Sequence, residues 1–511
     1  MQILDTVFNI IIFLLSLTLI VSLHELGHFL LAKKAGILIH EYSIGMGPAI
    51  YRKKKGETYY AVRVLPLGGY VAMSGEDREN QLLKKDQVVG LVLNENQVVT
   101  EILLDQSTKK PSVVGKVVSF DLFGRDMAPL FIELEVSGAL TRYEVDRKAR
   151  YLYGVKNELQ ITPAESSFET KTLWQRFLVL FCGPLMNFIL ALVLVFIVAL
   201  VQGKPSNSNV VNNSSNPALL KGDVITKIGD IEVSNLTEVS NALSNINSHK
   251  VSMVVLRNGE LQTIEVYLTV VMNNLGIVNY PVEGKRDELY VGGLGTKAKE
   301  AGLQFEDKIL TINGQTVTTW EEVITIARTY NLKEVSLSVL RDGNVVPNIR
   351  YEVFSLETLE TIGTDAIQIR VGFDVGYEFN FLYSLYYPFV HFGESISQMV
   401  GTIALLINPN SGIGIGELSG PIGIFSLVQN AASQGIFSLL LFIAFLSVNI
   451  GLMNLLPIPA LDGGRILFLG YEAITKKKFP AKVEFWINQI SFYALIALMI
   501  YVTFGDVGRL F

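Results

Sequence analysis

The chain has 511 residues, half of them hydrophobic, a net charge of −6 and a single cysteine, and its mean hydropathy is +0.38. That is too apolar for an ordinary soluble protein of this length and implies membrane spans alternating with water-facing parts. The small net charge supplies no global field for nucleic acid, and the lone Cys182, in an apolar run beside Gly183, excludes an intramolecular disulfide framework and a cysteine-rich metal site.

The first element is the apolar run FNIIIFLLSLTLIVSLHELGHFLLAKK. It has no basic leader and no small-residue cleavage pattern, so it is expected to stay as a span over about 7–31 rather than be removed. Inside it stands HELGH at 24–28. On a helix His24 and His28 are one turn apart on the same face, so two imidazoles can converge on one ion, with Glu25 beside them to polarise a metal-held water and take its proton. HExxH also occurs by chance, as a surface salt-bridge pattern. Within an apolar span the cost of dehydrating ionisable groups favours the functional reading.

The interval 33–176 follows, with KK at 33–34, RKKK at 52–55, KK at 109–110 and Lys171 and Arg176 before the next span. By the positive-inside bias this interval is cytoplasmic. Residues 40–73 alternate in strand fashion around a basic turn and suit a sheet lying against the membrane face. Residues 86–155 contain strand-like runs such as SVVGKVVSF and LFIELEV, expected as a small β-rich insertion. A second span is expected at about 177–201.

Beyond it are two similar units. NPALLKGDVITKIGDIEVSNLTEVSNALS and VSMVVLRNGELQTIEVYL form the first. KEAGLQFEDKILTINGQTVTTWEEVITIAR and VSLSVLRDGNVVPNIRYEV form the second. Each orders a turn, a strand, a tight turn (Gly229–Asp230 or Asn313–Gly314), a helix, and a hairpin turned at Asn258–Gly259 or Asp342–Gly343. The repeated order argues for duplicated α+β modules that resemble PDZ domains. Residues 380–407 are apolar but interrupted by His391, Glu394 and Gln398, which fits an interfacial or re-entrant helix better than a clean span. Spans at about 437–456 and 486–503 close the chain, with KKK at 476–478 between them marking a cytoplasmic loop. Residues 202–379 and both termini are then outside.

A metal held by two histidines needs a third protein ligand and an open position for water. His40 lies in a strand, His249 in an exterior module, and His391 in the interrupted segment. Asp462, in the broken run PIPALDGG after the third span, is the best placed, although an aspartate there also suits a helix N-cap.

In order along the chain, HELGH at 24–28, EYSIGMGP at 41–48, VRVLPLGGYVAM at 62–73, LWQRFLVLFCGPLMNFILA at 173–191, the two PDZ-like units, GELSGPIGI at 416–424 and SVNIGLMNLLPIPALDGGR at 447–465 resemble the site-2 intramembrane metalloproteases. The bacterial group resembling regulator-of-sigma-E proteases, with tandem PDZ domains, is the nearest. The resemblance covers nearly the whole chain. It implies a multi-pass α-helical membrane protein with about four transmembrane helices, a membrane-associated β-hairpin and two extracytoplasmic PDZ-like domains. It implies Zn2+ on His24, His28 and Asp462, Glu25 as catalytic base, and Asn454 holding substrate backbone or the oxyanion. Asn449 is a weaker helper, Pro457 and Pro459 shape the loop presenting Asp462, and Gly68 and Gly69 lie in a hairpin whose edge strand receives unwound substrate. The implied substrates are single-pass membrane proteins such as anti-sigma factors or remnant signal peptides, cut within the bacterial cell membrane toward its cytoplasmic side, with a prior site-1 cut as one route. Membrane lipid is an implied partner and nucleic acid is not. The one departure is the long interval between spans one and two, with 86–155 as the extra material.

The organisation expected is therefore span one with HELGH at 1–32, the hairpin region at 33–85, the insertion at 86–155, a connector at 156–176 and span two at 177–201. Modules at 202–275 and 276–355 follow, then a linker and amphipathic region at 356–435, span three with its motif at 436–475, and span four at 476–511. The competing readings are a zinc transporter or binder, and a non-catalytic scaffold built on the PDZ-like units. Neither has a use for a glutamate beside the histidines.

Overall fold

The computed structural model describes residues 2–75, 82–105, 109–154, 157–279, 284–361, 363–408 and 414–510. The boundary expected at 155–156 lies outside these. The helices, in chain order, are α1 (Gln2–Lys34), α2 (Leu173–Gln202), α3 (Leu236–Ser244), α4 (Thr296–Glu300), α5 (Trp320–Thr329), α6 (Leu356–Thr361), α7 (Phe381–Ile407), α8 (Pro421–Ser433), α9 (Ile436–Leu455), α10 (Asp462–Thr475) and α11 (Ala481–Leu510). Five of them, α1, α2, α7, α9 and α11, are long and apolar enough to cross a membrane. This is one more than the sequence suggested. The addition is the segment 380–407, expected as an interfacial or re-entrant helix, which forms one continuous helix of 27 residues. The chain divides into two compact units, 1–192 with 427–498 and 193–426 with 499–511.

In the first unit α1, α2 and α9 pack through small residues. Gly27 of α1 faces the Cys182 carbonyl of α2, where a Cβ would clash with backbone, and Gly451 of α9 lies against Pro184 and Phe188 of α2. Without a hydrophobic drive between helices in lipid, such close approach supplies the contact energy. Ser447 closes the bundle by donating its hydroxyl to the Asn187 carbonyl at 2.8 Å.

Two long strands, β1 (Ile39–Lys55) and β2 (Thr58–Met73), follow α1. They are more than a hairpin, because residues 41–44 have partners on both sides, 69–72 on one and 59–62 on the other. Thr18 of α1 donates to the Pro66 carbonyl at 2.6 Å, and Tyr42 donates to the Ser22 carbonyl at 2.9 Å. These bonds lay the sheet along α1.

The insertion contains β3 (Val88–Leu93), β4 (Val99–Leu103), β5 (Val113–Asp121), β6 (Phe131–Val136), β7 (Ala139–Leu152) and β8 (Glu158–Gln160). The order is β4-β3-β5-β6-β7-β8 with β4 also paired to β7, so β3 to β7 close into a five-stranded barrel. Alternating inward residues, among them Val89, Leu91, Ile102, Val117, Ile132 and Leu134, are fully buried and fill it.

In the second unit the duplicated sequence becomes duplicated structure. Residues 231–232, 224–228, 250–257 and 260–267 form one four-stranded sheet. Residues 315–316, 308–312, 334–341 and 344–352 form another with the same order. α3 and α5 follow equivalent turns, each capped by the expected polar side chain, Asn235 or Thr319. Both hairpin turns take the positive φ that Asn-Gly and Asp-Gly permit, at Asn258–Gly259 and Asp342–Gly343. Each module also buries an aspartate on an arginine of its neighbouring strand, Asp223 on Arg257 and Asp307 on Arg341. A third sheet, ordered 291–294, 277–279, 269–272 and 367–370, joins them over one continuous apolar core.

Candidate metal centre

The helical spacing of HELGH places His24 and His28 on one face of α1, both buried at 7% and 6% exposure. Their Nε2 atoms lie 3.1 Å apart. Opposite them is Asp462, at the first position of α10, with Oδ2 3.2 Å from His24 Nε2 and 3.3 Å from His28 Nε2. The N-cap position of α10 is Leu461, and no side chain caps that end. Asp462 is thus turned toward the histidines and is not spent on the helix.

Asp462 Oδ2 is buried without a hydrogen bond of normal geometry. Three ligand atoms, one from each side chain, lie within 4.8 Å of one another. Leaving such an acceptor buried and unmatched costs about 1–3 kcal/mol or more, and a cation between the three atoms removes that cost. The donor set of two imidazoles and one carboxylate fits zinc with an open fourth position.

The surroundings orient these ligands. His28 Nδ1 lies 2.8 Å from the Val179 carbonyl, so Nδ1 carries the proton and Nε2 keeps its lone pair for the site. His24 Nδ1 faces the side-chain amide of the fully buried Asn187 at 3.3 Å. Gly183 of α2 leaves the room the two rings occupy, since a Cβ there would run into His28 Nε2 and lie 2.9 Å from His24 Nε2. Arg176 of α2 and Glu472 of α10, paired at 2.7 Å with the arginine buried, tie the helix that carries Asp462 to the helix that carries Gly183. Gly463 and Gly464 let the 455–461 loop fold back on the start of α10, because a Cβ at either would collide with the Leu455, Leu456 or Ile458 carbonyls. That loop presents Asp462.

The sheet reaches the same place. A Cβ on Gly69 would stand 3.5 Å from Glu25 Cγ and 2.7 Å from the Ser43 carbonyl, so the 69–72 strand runs beside Glu25 at a glycine. Gly68 has φ +86° and packs on Met46. Among the described residues no further strand pairs with 69–72 on its other side.

Of the residues singled out from sequence, His24, His28 and Asp462 are brought together, and Gly69 comes to Glu25. Asn454 and Asn449 are on α9, and neither side chain hydrogen-bonds the cluster among the described residues; Asn449 Oδ1 is buried and unmatched. Pro457 is an exposed residue of the loop ahead of Asp462. His40, His249 and His391 stand elsewhere, on Ser74, on Asp287 and beside Ser395. Asn187, Gly183 and the Val179 carbonyl were missed. The run CGPLMN that holds two of them carries a signal only in hindsight, as a glycine and an amide one helical turn apart in an apolar span.

A buried His-His-carboxylate cluster in an apolar helix bundle, with a glutamate adjoining, defines a membrane metallopeptidase. The chain belongs to peptidase family M50, whose family model matches residues 12–498. It is 31% identical to the zinc metalloprotease RasP of Shouchella clausii (strain KSM-K16), over 98% of this chain and 99% of that protein. Identity is also 31% to the regulator of sigma-W protease RasP of Bacillus subtilis (strain 168), with the same coverage. The solved structure of an HtrA-type protease with a decapeptide overlaps 57% of this chain and 64% of its own at 14% identity, with a TM-score of 0.12, which establishes no shared fold.

Proposed function

We propose that the protein is a zinc endopeptidase that cuts single-pass membrane proteins within or next to their spans, anti-sigma factors and remnant signal peptides being the substrate class. The observation that carries this is the convergence of His24 Nε2, His28 Nε2 and Asp462 Oδ2 beside Glu25 and the 69–72 strand. His24, His28 and Asp462 would hold zinc, which would supply a Lewis acid and lower the pKa of a water at its open position. Glu25 is placed to take a proton from the attacking water and to return it to the leaving amine as the C–N bond breaks. Asn454 donates to the developing oxyanion, with Asn449 behind it, and Pro457 holds the loop. A substrate helix exposes its peptide bond only when unwound, and the 69–72 edge at Gly68 and Gly69 re-pairs the freed backbone groups.

The packing of α9 supports the expected orientation. Ser447 meets Asn187 and Gly451 meets Pro184, so α9 runs opposite to α2 and in the sense of α1. An even number of crossings between α2 and α9 follows, and this favours reading 380–407 as an interfacial helix rather than as a lone span. The basic segments 33–34, 52–55 and 476–478 are cytoplasmic, as is the face nearest the metal centre. The PDZ-like modules act outside as a size filter rather than as peptide-carboxylate binders. In support, residues 277–279 pair on one side with 269–272 and on the other with 291–294, so that strand offers no free edge for a peptide.

The test is cleavage of a single-pass reporter with a shortened exterior domain, in membranes carrying the native chain or Glu25→Gln at equal zinc content. Cutting within the span by the native chain alone is expected. Equal cutting by both removes the mechanism. Zinc binding with no cutting of any reporter favours the scaffold reading.

A further inference from the structure

The barrel is not an inert addition. The short strand β8 pairs on β7 at the barrel's flank and begins at Glu158, whose carboxylate meets the tip of the β1–β2 sheet. Glu158 Oε1 accepts from Lys54 Nζ and from the Tyr59 hydroxyl, the latter at 2.6 Å, while Oε2 accepts from Arg150 of β7 at 3.1 Å. Lys54 and Tyr59 are partners across the sheet tip. Burial pushes the Glu158 carboxyl up, but the bonds from Lys54 and Tyr59 and the charges of Arg150 and Lys54 outweigh it and hold it at about 2. The group is a fixed anion at any physiological pH.

From that tip a chain of contacts leads to the metal centre. The Arg52 guanidinium lies 3.9 Å from the Tyr59 ring centroid, and its Nε donates to Glu41 Oε2 at 3.1 Å. Glu41 is buried, and its Oε1 accepts from Arg63 and from the Tyr70 hydroxyl, the latter at 2.7 Å. Tyr70 adjoins Gly69, the residue beside Glu25. The base of the same sheet is held by the segment that follows the barrel. Thr162 donates to Ser74 Oγ at 3.0 Å, and Ser74 Oγ meets His40 Nε2 at 2.7 Å. The Phe168 amide donates to the Ser74 carbonyl at 2.8 Å, and the Leu38 amide to the Ser166 carbonyl at 2.9 Å. The sheet is therefore clamped at both ends by the region between α1 and α2, with the substrate-facing strand between the clamps.

We propose that Glu158 is a positioning residue for proteolysis, through which the cytoplasmic barrel grips the sheet tip and sets the place of the 69–72 strand relative to Glu25. This rests on the reading of that strand as the one that receives substrate. A strand misplaced by about 1 Å costs on the order of a hundredfold in rate, which is the scale on which such a grip acts. Solvent-exposed ion pairs would transmit little of it, and Lys148–Glu57, 3.3 Å apart at the same junction, is one of those.

The experiment reads substrate placement apart from chemistry. In the Glu25→Gln chain a photo-crosslinker replaces the exposed Leu65, and the yield of adduct with the span of a single-pass reporter is measured. Reporter cleavage is followed in parallel in chains with Glu25 intact. Glu158→Lys, which sets a cation against Lys54 and Arg150, is expected to lower adduct yield and kcat/KM together by at least about tenfold, with bound zinc unchanged. The swapped pair Lys54→Glu with Glu158→Lys, made together with Arg150→Gln so that no cation of β7 opposes the new lysine, is expected to recover most of both. Native adduct yield in Glu158→Lys overturns the proposal. A loss that the swapped pair does not recover overturns it too, because the defect then comes from a damaged barrel and not from the grip. If the native chain cuts no reporter that Glu25→Gln spares, the protease reading fails on its own, and the adduct yields still decide the role of Glu158.

Discussion

Asn187 and His24 face each other inside the bundle, the amide Nδ2 3.3 Å from the ring Nδ1. In the same residue Oδ1 is buried and unmatched. His24 turns Nε2 toward Asp462, so its Nδ1 must carry the proton and needs an acceptor. A half-turn of the Asn187 amide satisfies both groups at once, with Nδ1–H donating to Oδ1. The Val179 carbonyl does the same for His28.

It follows that Asn187→Leu, which keeps the branched shape and removes the acceptor, lowers zinc affinity by about 10–100-fold. Asn187→Asp, which keeps an acceptor, holds zinc close to native. Zinc remaining after competition with a chelator measures this without reference to proteolysis. The reverse order, with leucine tolerated and aspartate not, would show that Asn187 serves packing alone.

Gly183 gives a sharper separation of folding from metal binding. Replacing a helical glycine by alanine ordinarily favours the helix by up to about 1 kcal/mol. Here the added Cβ enters the space of His28 Nε2 and His24 Nε2. Gly183→Ala is expected to leave the metal-free protein folded, with at most about 1–3 kcal/mol lost to overpacking, while abolishing zinc retention and cleavage. Native zinc content in this variant would show that the two rings can shift together, and would refute the cradle.

The parts legible in the sequence were those encoded locally. HELGH shows its geometry because an i, i+4 pair shares a helix face, and the duplicated modules show theirs because Asn-Gly and Asp-Gly turns and N-caps act within a few residues. Asp462 could be named but not fixed, since the same residue suits a helix cap, and only the fold shows Leu461 in that place. What stayed hidden depends on contacts far apart in the chain. The β4–β7 pairing closes the barrel, Glu158 reaches Lys54 and Tyr59, and Asn187 meets His24 across helices. None of these leaves a periodic trace. The segment 380–407 is legible as a helix, and it forms one, but His391, Glu394 and Gln398 within an apolar run leave its relation to the membrane open from composition.

The base of the β1–β2 sheet should respond to acid. His40 is pushed down from 6.5 to about 4 by burial, and its Nε2 meets Ser74. The fold therefore keeps His40 neutral where the unfolded chain protonates it. Its contribution is whole above about pH 6.5, shrinks as pH falls from there toward 4, and is gone below. Thermal unfolding of the native protein should lose stability between pH 7 and 5 by more than that of His40→Asn, which has no proton to gain. Parallel profiles for the two would place the acid response elsewhere.

Trp320 opens α5 of the second module, fully buried, with its indole Nε1 donating to the Glu288 carbonyl at 3.0 Å. Truncating such a side chain costs about 3–5 kcal/mol, and the apolar core it anchors continues into the first module. If the modules restrict entry by size, Trp320→Ala should leave cleavage of a short-ectodomain reporter at its native rate, because the metal centre lies in the other unit. The same change should admit a reporter with a folded exterior domain that the native chain rejects. Protease nicking of 202–355 would report the loosening independently. Continued rejection of the bulky reporter by a nicked, loosened pair would mean that the filter is not built from these modules.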